Sequence, residues 1–176
     1  SQVATGIERL RKERAEREQR SLAEALRDIA SVLNSTLEFD VVMERILANI
    51  DRVVPSKSAN IMLLENDQLR IILHRGYATD EGPIWMENFR LNIHGMTDLE
   101  RGRATGAPQL IPDTRQDPNW VTFSATKWVR SHLAAPILEE NKVIGFINLD
   151  HDAPNFFTPQ DAERLQAFAN QAASAI

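Results

Sequence analysis

The chain has 176 residues, with 20 Lys and Arg against 25 Asp and Glu and 43% hydrophobic residues, which suits one soluble domain with some additional helix. It has no cysteine, so disulfides, thiolate metal sites, nucleophilic cysteines and sulfur-tethered cofactors are excluded. Its interspersed charges, which sum to −5, predict neither nucleic acid nor a membrane as a direct partner. No apolar stretch approaches the ~18 residues of a membrane span, and the N-terminal residues lack a secretion-signal pattern. We therefore expect a cytoplasmic location.

The N-terminal region predicts a long helix. Residues 7–20 are almost wholly charged and suit a solvated helix, whereas an apolar stripe at three-and-four spacing runs from Leu22 to Leu33. The stripe fits a coiled-coil seam, and the alternative is that this helix packs on its own domain. We divide the chain into a coiled-coil-like helix, residues 1–34, and a domain, residues 35–176.

The remaining pattern predicts alternating helices and hairpins. Apolar residues at helix spacing run from Phe39 to Val54, where Pro55 ends the helix. Thr158 is placed to cap the last helix. Further elements follow from periodicity and turn residues: strands at 59–64, 69–74, 89–93, 109–111, 132–138 and 143–150, and helices at 96–105, 122–129 and 159–176. This order predicts an α+β fold with helices segregated against an antiparallel sheet.

Four motifs in this order resemble those of GAF domains: Ile111-Pro112-Asp113 with Asp117-Pro118-Asn119-Trp120, Ser131 to Ile137, Val143 to Leu149, and Phe157 to Asp161. The resemblance covers residues 22–176. It implies a GAF/PAS-like regulatory module with a six-stranded antiparallel sheet, helices packed on one face and a small-molecule pocket on the other.

A further pattern is shared in part with cyclic-nucleotide-binding relatives. Asn141, Lys142, Phe157 and Asp161 match it, but Ala162 stands where those relatives carry Glu, so the pattern is incomplete. The role that this partial match implies is a structural ion pair between Lys142 and Asp161.

We expect any ligand site between the sheet and residues 84–129, because loop-rich chain with aromatic residues crosses the sheet there. Its expected apolar walls are Trp85, Phe89, Ile93, Trp120, Trp128 and Leu133, with the small Ala135 on the central strand. Arg115 or Arg130 would be its polar anchor. The alternative is that these side chains simply fill the space.

The sequence predicts no catalytic residues and no metal site. The histidines are dispersed, and His132 is interpreted as a core or surface residue. The resemblance implies bilin attachment and methionine-sulfoxide reduction as activities found on GAF-like folds. Both depend on cysteine, which this chain lacks, so we expect no covalently bound bilin and no such reduction. The identity of any other cofactor is unknown from the sequence.

We interpret the chain as a ligand-sensing, dimerising domain of a larger signalling protein, because it begins at Ser1 and ends within a helical pattern. A sensor histidine kinase is the expected parent, with a diguanylate cyclase, response regulator or transcriptional activator as other hosts. We expect a homodimer through residues 21–33 and 159–176 and an output domain elsewhere in the parent chain. The alternatives are a dimerisation spacer without a ligand and, as the weakest, a haem- or metal-binding redox sensor.

Overall fold

The computed structural model describes residues 1–35, 39–77, 86 and 88–176. The described helices are α1 Gln2–Ser35, α2 Phe39–Val53, α3 Thr97–Thr105 and α4 Pro159–Ala173. The strands are β1 Ser58–Glu65, β2 Gln68–Arg75, β3 Arg90–Asn92, β4 Gln109–Ile111, β5 Ser131–Glu139 and β6 Lys142–His151. They form one six-stranded sheet in the order β3-β2-β1-β6-β5-β4, antiparallel throughout. The predicted α+β fold is confirmed.

Two tight turns close the hairpins β1–β2 and β5–β6. Asn66 and Asp67 have φ of 48° and 66°, and Glu140 and Asn141 have φ of 47° and 64°. Two successive left-handed residues are characteristic of a type I′ turn, whose twist matches that of the strands. Both hairpins were predicted at these positions.

Side chains alternate along the strands and divide the core into two clusters. The helix-side core packs against α1, α2 and α4 and contains from the sheet Ala59, Ile61, Leu133, Ala135, Ile137, Ile147 and Leu149. The cavity-side core lies on the other face and contains from the sheet Met62, Leu69, Ile71, Ala134, Val143 and Phe146. The sheet is therefore buried on both faces over its central strands.

The helix ends follow local chemistry. Thr158 Oγ1 accepts from the Asp161 amide at 3.1 Å, and Asp161 accepts from the Thr158 amide at 2.9 Å, so α4 begins with the predicted cap as a full capping box. α3 ends at Gly106, whose φ of 64° suits glycine. The predicted helix over 122–129 is wrong, because only a 3₁₀ turn, Ser124–Thr126, forms there.

The two halves of α1 have different surroundings. In the second half, Ala25 and Ile29 are fully buried in the helix-side core, so this part packs on its own domain, as the alternative interpretation held. In the first half, Val3, Ile7 and Leu10 are 72%, 45% and 66% exposed. Neither α1 nor another helix in the described part of the chain is apolar over a length that would cross a membrane.

The predicted ion pair between Lys142 and Asp161 is wrong. Asp161 contacts Thr158 in the capping box and lies 3.7 Å from Arg164, whereas Lys142 lies at the β5–β6 turn, paired in register with Glu139. The physical reason is distance along the strand. Lys142 opens β6 and α4 follows its far end, and a strand of this length spans about 30 Å.

We expect Gly145→Ala to destabilise the domain, because a Cβ at this position of the central strand β6 would lie 2.3 Å from the main-chain oxygen of Met62. β6 and β1 would have to move apart to relieve this clash, which should lower the free energy of unfolding by about 1–3 kcal/mol. Gly95→Ala is the matched control, since nothing lies within 4 Å of a Cβ there. Urea unfolding measures both variants, and equal stabilities would contradict the packing at Gly145.

Candidate functional site

A cavity lies on the sheet face opposite α2 and α4. Its volume for water-sized guests is about 50 Å3, within about 540 Å3 of atom-free space that includes its opening to solvent. Five strands, α3 and the segment before β5 contribute its lining. The described lining residues are Asn60, Met62, Ile71, Tyr77, Met86, Phe89, Leu91, Met96, Asp98, Leu99, Trp120, Val121, Phe123, Thr126, His132, Asn148 and Asp150. Apolar side chains make most of this surface, which is the usual character of a small-molecule site.

The apolar part of the lining is rich in methionine and aromatic residues. Met62, Met86 and Met96 are nearly fully buried, and unbranched methionine side chains adapt to the shape of a guest. Phe89 and Phe123 pack edge to face with ring centroids 5.4 Å apart, a favourable aromatic geometry. These walls can adjust around an apolar body.

The polar part of the lining is a connected network. Asn148 Nδ2 donates to Asn60 Oδ1 at 2.9 Å, and Asn60 Nδ2 donates to the Tyr77 hydroxyl at 2.8 Å. Tyr77 in turn donates to Asp150 at 2.5 Å. Burial, followed by the charge of Asp150, raises the pKa of Tyr77 well above its usual value, so the hydroxyl keeps the proton that it donates. The network joins β1, β6 and the segment after β2.

His132 lies between two acidic residues. Its Nδ1 is 2.7 Å from Asp150 Oδ1, and its Nε2 is 3.3 Å from Asp98 Oδ2. Burial alone would lower the pKa of His132, but Asp150 and then Asp98 raise it to about 10. Burial likewise opposes ionisation of Asp98, yet the His132 imidazolium holds the pKa of Asp98 below its usual value. The three groups form a buried, charged triad at neutral pH.

The triad is not arranged as a metal site. Both imidazole nitrogens face carboxylates, and in the imidazolium both carry a proton, so neither has the lone pair that a metal ligand needs. No group of three His, Asp or Glu residues in the described part of the chain is arranged to hold a metal ion. The geometry is that of a buried ion-pair network.

Some predicted site residues lie at the cavity. Phe89 and Trp120 line it, and Ile93 is buried in the same cavity-side core. Trp128 lies nearby, with its ring 6.4 Å from that of Tyr77 and its Nε1 donating to the Ala125 carbonyl. Trp85 lies outside the described residues.

Four other predicted positions are wrong as walls or anchors of the cavity. Leu133 and Ala135 point into the helix-side core, because odd-numbered residues of β5 face α4. Arg130 forms a bidentate pair with Asp113 at 3.0 and 2.9 Å. The side chain of Arg115 is exposed, and its amide donates to the same Asp113 carboxylate. Neither arginine lines the cavity.

Sequence analysis missed the residues that give the cavity its polarity. His132 was interpreted as a core or surface histidine, and Asp98, Asn60, Asn148 and Tyr77 were not considered. Strand alternation was the available signal, because His132 is on the opposite face to Leu133. An ionisable residue within an otherwise apolar run at that face would have indicated a buried polar site.

Comparison with known proteins gives a consistent result. Residues 36–176 match the family model described as GAF domain, in agreement with the motif resemblance. No curated protein sequence gives a significant match.

Solved structures share the fold at low sequence identity. The free methionine-R-sulfoxide reductase of Neisseria meningitidis, in complex with its substrate, has a TM-score of 0.70 at 18% identity, covering 88% of this chain and 87% of that chain. The GAF domain of a phosphoenolpyruvate-protein phosphotransferase from Coxiella burnetii has a TM-score of 0.74 at 13% identity, covering 87% and 90%. A GAF domain/HD domain protein from Geobacter sulfurreducens has a TM-score of 0.69 at 16% identity, covering 81% and 94%.

We expect His132→Gln to destabilise the protein at pH 7 by about 3–5 kcal/mol, because it leaves two buried carboxylates without their cation. The folded pKa of about 10 exceeds the ~6.5 of an unfolded histidine. The stabilisation by His132 is therefore complete below about pH 6.5 and is lost as pH rises through about 10. Urea unfolding should show that the difference in the free energy of unfolding between wild type and His132→Gln becomes smaller as the pH rises from 7 to 10.

The control for this prediction is His94→Gln. His94 also contacts two carboxylates, Asp67 and Glu100, but its side chain is 55% exposed, where ion pairs contribute little. A loss for His132→Gln no larger than that for His94→Gln would contradict a buried charged triad.

Proposed function

Because the chain belongs to the GAF domain family, we propose that it is a sensing module that binds a small molecule in the cavity between the sheet and α3. The observation that carries the proposal is the cavity itself, which combines apolar walls with a buried polar network on one side. Burying the charges of Asp98, His132 and Asp150 at this cavity is costly, and a polar ligand group bound there would offset part of that cost.

The position of the cavity supports a signalling role. It shares the sheet with the helix-side core, against which α1, α2 and α4 pack. α1 and α4 are joined directly by an ion pair of 2.7 Å between Glu18 and Arg164. A ligand that binds two sheet conformations with different affinity would shift these helices.

We further propose a cytoplasmic signalling protein as the parent, with a sensor histidine kinase as the first candidate. The α1 helix is about 50 Å long at ~1.5 Å per residue and would carry a displacement from the domain to an output domain. The chain has no cysteine, so cysteine-dependent sulfoxide reduction is not part of this proposal.

We expect a panel of nucleotides, amino acids, organic acids and amines to contain a compound that raises the melting temperature. A ligand at ~100 times its Kd adds about 2.7 kcal/mol of stability. Leu91→Trp, which enlarges a half-buried residue of edge strand β3 at the cavity, should abolish the shift without unfolding the domain.

Leu110→Trp is the matched control for this test. Leu110 is also half-buried on a three-residue edge strand, β4, but packs against the helix-side core. Binding that survives Leu91→Trp would place the ligand elsewhere. No thermal shift across the panel would favour the spacer function instead.

We propose a homodimer through the first half of α1 as the partner. This surface replaces the expected one at 21–33 and 159–176, because Ala25, Ile29 and Phe168 are buried in the helix-side core of their own domain. Val3, Ile7 and Leu10 are exposed and follow the four-and-three spacing of a coiled-coil seam. Light scattering should give twice the monomer mass at micromolar concentration, and replacing all three by Glu should give the monomer. Thr5→Glu with Lys12→Glu makes the same change in net charge on the opposite side of the helix and should leave the dimer intact. A wild-type monomer would overturn this proposal.

A further inference from the structure

The polar network of the cavity ends in two buried acceptors that receive no hydrogen bond. Asp98 Oδ2 and Asn148 Oδ1 both lack a donor, and their residues are only 8% and 2% exposed. The 3.3 Å contact of Asp98 with His132 is an ion-pair contact without hydrogen-bond geometry. Buried polar atoms normally have partners, so two unsatisfied acceptors lining one cavity indicate a missing donor.

The direction of the network fixes these ends as acceptors. Asp150 can only accept when ionised, so Tyr77 must donate to it. Asn60 must then donate to the Tyr77 oxygen through its amide nitrogen and present its oxygen to Asn148. This leaves the Asn148 oxygen as the free end. Turning either amide over would set two donors or two acceptors against each other.

The charge of the site points the same way. Two carboxylates, Asp98 and Asp150, flank one imidazolium, His132, which leaves a single uncompensated negative charge. None of the described lining residues is Lys or Arg, and Arg130 is held in its pair with Asp113. The cavity therefore offers little to a carboxylate or phosphate, whereas a cation would complete the balance of charge.

We propose that the cavity binds an apolar small molecule that carries a protonated amine or a similar cationic N–H donor, with Asp98 and Asn148 as the groups that receive it. The apolar body would lie against the methionine and aromatic walls. This inference rests on the proposed sensing function and names its ligand class. Asp98 and Asn148 take the place of Arg115 or Arg130, which the sequence led us to expect as the polar anchor.

The test compares three probes with the same phenyl body: 2-phenylethylammonium, 2-phenylethanol and 3-phenylpropionate. The protein has four methionines, of which Met62, Met86 and Met96 line the cavity and Met43 lies in the helix-side core. With ¹³C-methyl-methionine NMR, binding in the cavity should shift the first three signals and leave that of Met43 in place. We expect the ammonium compound to bind at least about tenfold more tightly than the carboxylate.

Two variants test the acceptors. Asp98→Asn should weaken binding of 2-phenylethylammonium by about tenfold and leave that of 2-phenylethanol nearly unchanged. Asn148→Leu removes the acceptor at the other end of the network and should also weaken the binding of 2-phenylethylammonium. Asp113→Asn is the control, because it removes a carboxylate from an ion pair outside the cavity. If Asp98→Asn does not fold, the affinities of the three probes for the wild-type protein still test whether the cavity prefers a cation.

The outcomes separate this inference from the function on which it rests. Equal or tighter binding of 3-phenylpropionate, or an unchanged ammonium affinity in folded Asp98→Asn, would overturn the ligand class. If the broader panel yields a cavity ligand that is not a cation and the ammonium probe moves no cavity methyl signal, the inference fails and the sensing function stands. If no compound of any charge moves those signals, both fail.

Discussion

The buried carboxylate of Asp150 is the group on which the cavity side of the sheet depends. It accepts hydrogen bonds from Tyr77 at 2.5 Å and Ser58 at 3.3 Å, and it pairs with His132 at 2.7 Å. Its side chain is 5% exposed, so these contacts replace water almost completely. A buried charge is tolerated only with such compensation. Asp150 therefore orders β1, β5 and the segment after β2 around the end of β6.

His132 extends this arrangement from the sheet to α3. The imidazolium faces Asp150 on β6 on one side and Asp98 in the first turn of α3 on the other. The Trp120 ring packs against the imidazolium at a tilt of 55°, with ring centroids 5.0 Å apart. The position of α3 and of the segment around Trp120 is thus tied to a charged group in the sheet. A ligand that changed the balance of charge in the cavity would act directly on these contacts.

The same strands contact the helices on the other face. His132 and Leu133 are neighbours in β5, one at the cavity and one in the helix-side core. Gln166 of α4 donates to the Pro136 carbonyl of β5 at 2.9 Å. α4 is therefore held to β5 by a hydrogen bond to the strand's main chain as well as by packing. Displacement of β5 in response to a ligand would reach α4 through a contact already formed. This continuity is the physical basis of the proposed sensing function.

Local chemistry made most of the fold predictable from sequence. The two hairpin turns, the Thr158 cap and the end of α3 each depend on a few adjacent residues, and the predicted cap, strands and helix over 96–105 place each of them where it occurs. The 122–129 helix prediction failed because these residues instead form a 3₁₀ turn at 124–126 and a further turn at 127–128. α1 was ambiguous for the converse reason, since an apolar stripe does not say whether its own domain or a partner covers it.

The polar site was less predictable because it depends on contacts between distant segments and on one irregularity. Counting back from the β5–β6 turn, where Glu139 pairs with Lys142, places Leu149 opposite His132. The register shifts between Ile137 and Leu138, so that His132 pairs with Asp150 instead. A one-residue shift moves side chains to the opposite face, and it brings the acid to the histidine. Asp98 and Tyr77 join these residues from segments far away in the chain. Residue types alone could suggest that His132 is buried, but only the register reveals that it is charged.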